Sequence, residues 1–271
     1  MEIVFAPLFS GSSGNSVYVS GGGCRLLADA GLSASRIKTE LSKIPVDPAS
    51  LNAIFVTHEH DDHIKGIGIL ARRYGIPVYA TQGTWDGMRS KVGDIPPECV
   101  RTIVPGQDLY LKDMNIMPFS TPHDAGDSVG YTFSVGAASF TIATDIGCVK
   151  DSWLMHAYGS QAVLLESNYD PDMLLSGPYP YQLKCRIRSR TGHLSNDDAA
   201  QAALKLVKNG TTRIILGHLS DKNNFPDLAL ACCRNALEQS GYIIGKDVDI
   251  TTANRSELTR VFRVDADLRT E

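Results

Sequence analysis

Three of the seven histidines in this 271-residue chain fall within six positions, in His58-Glu59-His60-Asp61-Asp62-His63. By chance alone the pattern H-x-H-x-D-H is expected in fewer than roughly one in a thousand chains of this composition. Protonated imidazoles crowded this way repel one another, and metal binding removes that cost. The pattern follows the apolar run 53–57, which reads as a strand buried on both faces. In extended chain the i, i+2 spacing puts His58 and His60 on one side. Asp62 and His63 open the next helix and reach a second point close to the first. Two neighbouring sets of nitrogen and oxygen ligands are what a pair of divalent ions needs. With no cysteine among the candidate ligands, Zn²⁺ and Mn²⁺ fit equally well.

Further candidates sit where predicted strands emerge into loops, the usual place for site residues in layered α/β folds. His123 follows the strand ending Phe119-Ser120, Asp145 closes 140–144, and His218 closes 214–217. Taken singly, each is as readily a capped loop Asp or a satisfied core His. The composition excludes other classes. Net charge is −4, so no general affinity for nucleic acid or anionic membrane follows, and a basic surface must be local. The six cysteines (24, 99, 148, 185, 232 and 233) contain no CxxC and read as free thiols of a reducing compartment. The first residues lack the pattern of a secretion signal, and no apolar run is long enough to span a bilayer. A cytoplasmic protein with no membrane partner is the expectation, with oligomeric state left open.

Turn residues punctuate the chain evenly, which predicts one domain over 1–264 and a polar tail over 265–271. Strands are predicted over 3–9, 16–19, 25–28, 53–57, 77–80, 100–104, 109–119, 129–135, 139–144, 162–165, 213–216 and 248–251. Helices are predicted after a Ser33 cap, over 62–74, from a Ser195 cap to about residue 208, and over 227–239. Helices at both ends of the chain with a β meander between them predict two mixed sheets with helices outside both.

The H-x-H-x-D-H motif, with Asp29 in Leu27-Ala28-Asp29-Ala30-Gly31 before it and His123, Asp145 and His218 after it, resembles the metallo-β-lactamase superfamily over nearly the whole chain. The resemblance narrows on Leu8–Ser16, Val56–His60, Ile67–Tyr74, Glu166-Ser167-Asn168 and Gly192–Asn196, which look like the WalJ/YycJ (VicX) group of bacterial proteins. It implies an α/β fold, a four-layer αβ/βα sandwich, and two bound divalent metal ions. His58, His60 and His123 would hold one ion, Asp62, His63 and His218 the other. Asp145 would bridge them, and Asp29 would brace the ligand loop. The group's implied activity is that of a cytoplasmic metal-dependent hydrolase, a 5′-to-3′ exodeoxyribonuclease using a hydroxide shared by the two metals. Asp62 and His193 would be the catalytic pair, Asp62 orienting the nucleophile and His193 serving the scissile phosphate or the departing oxygen.

Superfamily members hydrolyse lactams, thioesters and phosphodiesters, so fold does not choose the substrate. Local features favour nucleic acid, with DNA and a single-stranded or 5′ end preferred. Gly11-Ser12-Ser13-Gly14-Asn15-Ser16 offers donors from Ser12, Ser13 and Asn15 to phosphate, or is simply a tight hairpin. Lys184, Arg186, Arg188 and Arg190 alternate, and in extended chain they would line one side as a stripe tracking a phosphate backbone. Tyr179 and Tyr181 precede them and suit stacking on unpaired bases. His193 lies just before a helix N-terminus, which favours phosphate. A thioester-type small-metabolite hydrolase and an RNA-directed nuclease are the alternatives.

Overall fold

The continuous apolar runs of the sequence become strands with both faces covered. The computed structural model describes residues 1–265. In chain order the elements are β1 (Glu2–Phe9), β2 (Ser16–Gly21), β3 (Cys24–Ala28), α1 (Ala34–Ser42), β4 (Ala53–Phe55), α2 (Asp61–Ile64), α3 (Ile67–Tyr74), β5 (Val78–Ala80), α4 (Gln82–Val92) and β6 (Val100–Thr102). They continue with β7 (Leu109–Leu111), β8 (Met114–Ser120), β9 (Val129–Val135), β10 (Ala138–Ala143), α5 (Asp151–Ala157), β11 (Ala162–Glu166), α6 (Pro171–Ser176) and α7 (Tyr181–Ile187). The last are α8 (Asn196–Lys208), β12 (Arg213–Gly217), α9 (Pro226–Gln239), β13 (Asp249–Thr252) and β14 (Phe262–Asp265). Among the described residues the strands form two seven-stranded sheets, ordered β14-β1-β2-β3-β4-β5-β6 and β13-β12-β11-β10-β9-β8-β7. Both mix parallel and antiparallel pairs, as expected.

The chain divides into two compact units. The first holds Met1–Ser120, Ala125–Ala138 and the described residues from Asn254 on. In it β14, β1, β2 and β3 pair antiparallel, and β3 to β6 run parallel. Alternation along β4 explains why its run is apolar throughout. Ile54 faces helices, in a core with Ile37 and Leu41 of α1 and Leu70 of α3. Phe55 turns the other way, edge-on to Tyr131 and Phe133 of β9 at 5.5 and 6.3 Å between ring centroids. The second unit holds Thr121–Asp124 and Ser139–Ala253. There β10 to β13 run parallel, β11 is buried throughout, and α8 and α9 pack on β11 and β13.

Several boundaries move for identifiable reasons. The helix expected over 62–74 is two, α2 and α3, because Gly66 donates its N–H to Ala30 O at 2.7 Å. A side chain there would meet Leu32 O at 2.4 Å. The strand expected over 109–119 is the β7–β8 hairpin, turned at Lys112 with φ 51°. α4 has no counterpart among the sequence expectations. Its Gly83 and Gly87 weaken the helical signal, and both are needed where Gly126 and Glu59 press close. Asp265, placed in the expected tail, ends β14 opposite Glu2; the remainder of that tail, 266–271, lies outside the described residues.

Gly31 is the tightest junction of the first unit. A Cβ there would lie 1.6 Å from Asp62 O and 2.6 Å from Asn15 N. Asn15 N donates to Asp62 O (2.7 Å), Gly31 N to Asn15 O (2.8 Å) and Ala30 N to His63 O (2.8 Å). Three segments distant in sequence are thereby locked behind the histidine loop. Gly31→Ala is expected to cost about 2–4 kcal/mol, lowering Tm by roughly 5 °C or more in a thermal melt; an unchanged Tm would contradict this packing.

Candidate metal-binding clusters

Strand ends set the site through backbone conformation. Among the described residues four non-glycines have positive φ, and three are predicted site residues: Asp29 (61°), Asp145 (57°) and His218 (55°). Asp29 and His218 directly follow β3 and β12, and Asp145 stands two residues beyond the end of β10. A left-handed residue there breaks the strand at once, and its strain is the kind held in place at functional sites.

In the first unit His58 is fully buried two residues beyond Val56, and His60 keeps extended dihedrals (φ −68°, ψ 147°) as it caps α2. The i, i+2 expectation holds: His58 Nε2 and His60 Nδ1 converge to 3.0 Å. Asp29 organises the cluster from behind. Its Oδ1 accepts Thr57 N–H at 2.8 Å, and its Oδ2 accepts the Thr57 hydroxyl at 2.9 Å and His63 Nδ1 at 2.8 Å. With its proton given to Asp29, the Thr57 hydroxyl accepts His58 Nδ1–H at 3.0 Å. This network leaves the lone pairs on His58 Nε2 and His63 Nε2. Consistently, the Asn15 amide donates to His63 Nε2 at 3.0 Å, and Asp62 Oδ2 lies 3.6 Å from the same nitrogen. Asp29 thereby ties Thr57 and His63 together.

In the second unit Glu166 plays the matching part. It ends the buried strand β11 with no exposure, and its carboxylate takes four donors. Oε2 accepts Ile146 N (2.8 Å) and Leu194 N (3.2 Å), while Oε1 accepts His193 Nδ1 (2.7 Å) and His218 Nδ1 (2.9 Å). Burial pushes the Glu166 carboxyl up, but the charge and hydrogen bond of His193, then those of His218, outweigh it and hold the group well below the usual carboxylate range. His123 Nδ1 donates to Gly192 O at 3.1 Å, which leaves its Nε2 as ligand atom, 3.8 Å from Asp145 Oδ1. Asp145 Oδ1 is also 3.4 Å from His218 Nδ1. Asp145, Glu166, His193 and His218 each offer an atom within 4.8 Å of the others.

These donor sets fit divalent metal. Two nitrogens of a tetrahedral ion stand about 3.3 Å apart at ordinary Zn–N bond lengths, close to the His58–His60 spacing. Within each unit the predicted ligands are brought together: His58, His60, Asp62 and His63 in one, His123, Asp145 and His218 in the other.

Two sequence expectations are corrected. Asn15 is 6% exposed and inward: Oδ1 accepts Gly11 N–H at 2.9 Å, and Nδ2 reaches His63, Asp62 and Gly11. It ties the loop to the histidines and is not an open donor to substrate, whereas Ser12 and Ser13 are exposed. The stripe Lys184, Arg186, Arg188 and Arg190 is not extended chain, since 181–187 is α7. Leu183 and Ile187, one helical turn apart, pack with Leu174, Tyr169 and Tyr179, and that apolar period overrides the alternation of charges. Lys184 Nζ is held by Leu175 O (2.7 Å), and Arg186 forms a two-point ion pair with Asp124. Sequence reading also did not assign Thr57 its relay. The signal for Glu166, a lone acid closing the apolar run Ala162-Val163-Leu164-Leu165, was legible, but its double contact was not.

The profile of the beta-lactamase superfamily domain matches residues 24–219. The chain is 39% identical over 248 residues to Exodeoxyribonuclease WalJ of Streptococcus pneumoniae serotype 2, covering 91% of this chain and 92% of that protein. It is 36% identical over 261 residues to Exodeoxyribonuclease YycJ of Bacillus anthracis, covering 96% and 99%. The crystal structure of the metallo-β-lactamase fold protein YhfI from Bacillus subtilis matches with a TM-score of 0.72 at 16% identity, covering 97% of this chain and all of that one.

Glu166→Gln keeps the shape but loses the charge that anchors two imidazoles. Divalent-metal affinity, measured by calorimetric titration with Mn²⁺, is expected to fall about 10–100-fold; wild-type affinity in this variant would contradict the role given to Glu166.

Proposed function

The chain belongs to the metallo-β-lactamase superfamily, with its α/β-sandwich fold, and is a metal-dependent hydrolase; we propose that it is a DNA phosphodiesterase, a 5′-to-3′ exodeoxyribonuclease working with two divalent ions. One observation carries this reading: near-full-length likeness to two proteins named exodeoxyribonucleases. The ligand set proposed is that of the motif, with His58, His60 and His123 for one ion, Asp62, His63 and His218 for the other, and Asp145 shared. Zn²⁺ and Mn²⁺ both suit these donors. Residues 1–264 are proposed to act as one catalytic domain. The ions, when bound, supply a water of lowered pKa and neutralise charge on the phosphate.

The chain's own groups do the rest. Asp29 and Glu166 hold the imidazoles so that no reorientation is needed on binding. Asp62, partly exposed beside His63, orients the attacking water. His193, 18% exposed at its side chain and fixed by Glu166 through Nδ1, serves the scissile phosphate or the departing oxygen. Ser12 and Ser13 contact phosphate, and Arg188 and Arg190 contact the backbone beyond it.

We place the protein in the cytoplasm, since all six cysteines are free thiols. No helix among the described residues is long and apolar enough to cross a membrane.

His60→Ala is expected to lose both metal and DNA cleavage, whereas His193→Ala keeps metal and loses turnover by about 10²–10⁴-fold. Elemental analysis beside cleavage of end-labelled DNA reads both, and equal metal loss in the two variants would contradict the division of roles. Mn²⁺- and Zn²⁺-loaded protein should shorten 5′-phosphorylated DNA stepwise from that end. Hydrolysis of an acyl-glutathione thioester with DNA and RNA left intact would overturn the reading.

A further inference from the structure

Beyond Glu166 the chain stays buried through Ser167 and Asn168. The parallel neighbour β12 ends level with β11, Glu166 opposite Gly217, so the two strands release Ser167 and His218 side by side. His218 leaves its strand in the left-handed conformation, with φ 55°. A non-glycine residue stays there only when its surroundings hold it. Residues 166–168 supply that hold. Glu166 Oε1 takes the ring through Nδ1 at 2.9 Å, Ser167 N donates to Gly217 O at 3.0 Å, and Asn168 Nδ2 donates to His218 O at 2.7 Å. Ser220 N donates back to Asn168 O at 2.8 Å. The ring of His218 is thus held by one residue and its main chain by another, two positions on.

Asn168 is itself fixed. Its N–H goes to Leu194 O at 2.9 Å, and its carbonyl also accepts Asn224 Nδ2 at 3.2 Å. The same Asn224 amide donates to Ser167 O (2.9 Å) and Asn196 Oδ1 (2.8 Å), and Asn196 Nδ2 returns a bond to Asn224 Oδ1 at 3.0 Å. Ser167 Oγ takes the second lone pair of Asn196 Oδ1 at 2.7 Å, and Phe225 N that of Asn224 Oδ1 at 2.9 Å. A buried amide pair matched donor to acceptor in this way is rigid, and a half-matched one is costly. This clasp joins the segments after β11 and β12 to the start of α8.

We propose that Asn168 is a positioning residue for His218. Its side-chain amide holds the histidine carbonyl in the left-handed turn, which keeps Nδ1 on Glu166 and leaves Nε2 as the ligand atom. Glu166 alone does not achieve this, because one hydrogen bond to a ring nitrogen leaves the main chain free to turn. The Asn196–Asn224 clasp is the rigid ground from which Asn168 acts. The inference rests on His218 being a metal ligand and deepens that reading.

The test uses the full chain as wild type, Asn168→Ala, His218→Ala and the double variant. In metal-free protein, imidazole ¹H–¹⁵N NMR resolves the Nδ1–H protons that His193 and His218 place on Glu166. Asn168→Ala should lose the His218 signal and keep that of His193. An unchanged His218 signal, or loss of both, overturns the proposal. Calorimetric titration with Mn²⁺ is the second readout. Asn168→Ala should weaken binding about 10–100-fold. Added to His218→Ala, it should cost nothing further, because the two residues act as a unit. An equal loss in both backgrounds marks a merely structural role and contradicts the proposal. So does an Asn168→Ala chain that fails to fold, since the clasp and the main-chain bonds of residue 168 need no side chain there. A wild type that takes up no Mn²⁺ overturns the metal reading, while the NMR comparison still decides the role of Asn168.

Discussion

Two buried carboxylates decide what the histidines of this protein can do. Asp29 and Glu166 each sit at the end of a strand, each accept backbone N–H groups, and each hold imidazoles by Nδ1. A buried carboxylate is costly unless fully hydrogen-bonded, and both are. The return is orientation: a neutral imidazole whose Nδ1–H is committed has its lone pair on Nε2 and a fixed ring plane. Metal affinity then follows from the protein's own hydrogen bonds, before any ion arrives.

The same economy appears in the backbone. Asp29 and His218 take the left-handed conformation directly after buried strands and Asp145 two residues after one, so the ends of rigid strands carry these candidate site residues and the loops only complete them. Gly31 and Gly192 do the converse work. Each removes a side chain where another stretch of backbone presses close, Gly31 behind the histidine loop and Gly192 beneath the last turn of α7.

Much of this was readable in the sequence. Period-two burial exposed the strands, and the spacing of His58, His60, Asp62 and His63 alone marked a candidate ligand loop. Asp145 and His218 were legible as polar residues closing apolar runs. What sequence could not carry was tertiary. Gly66 splits a helix because residues 30–32 press on it, and α4 hides behind two glycines that serve neighbouring segments. The cationic alternation of 184–190 looked like an extended stripe because its weaker helical period, Leu183 and Ile187, needs Tyr169 and Leu174 as partners to count. Asn15 looked like an open donor because nothing local shows that His63 and Asp62 surround it.

The proposed metal binding therefore rests on tautomers. Anomalous diffraction from Mn²⁺-loaded crystals, collected at the manganese edge, tests this most directly. The account predicts peaks bonded to Nε2 of His58, His63 and His218 and to Nδ1 of His60, with Nδ1 of His63 still on Asp29 and Nδ1 of His218 still on Glu166. Metal bonded to Nδ1 of His63 or His218, or no peak beside these imidazoles, would contradict it.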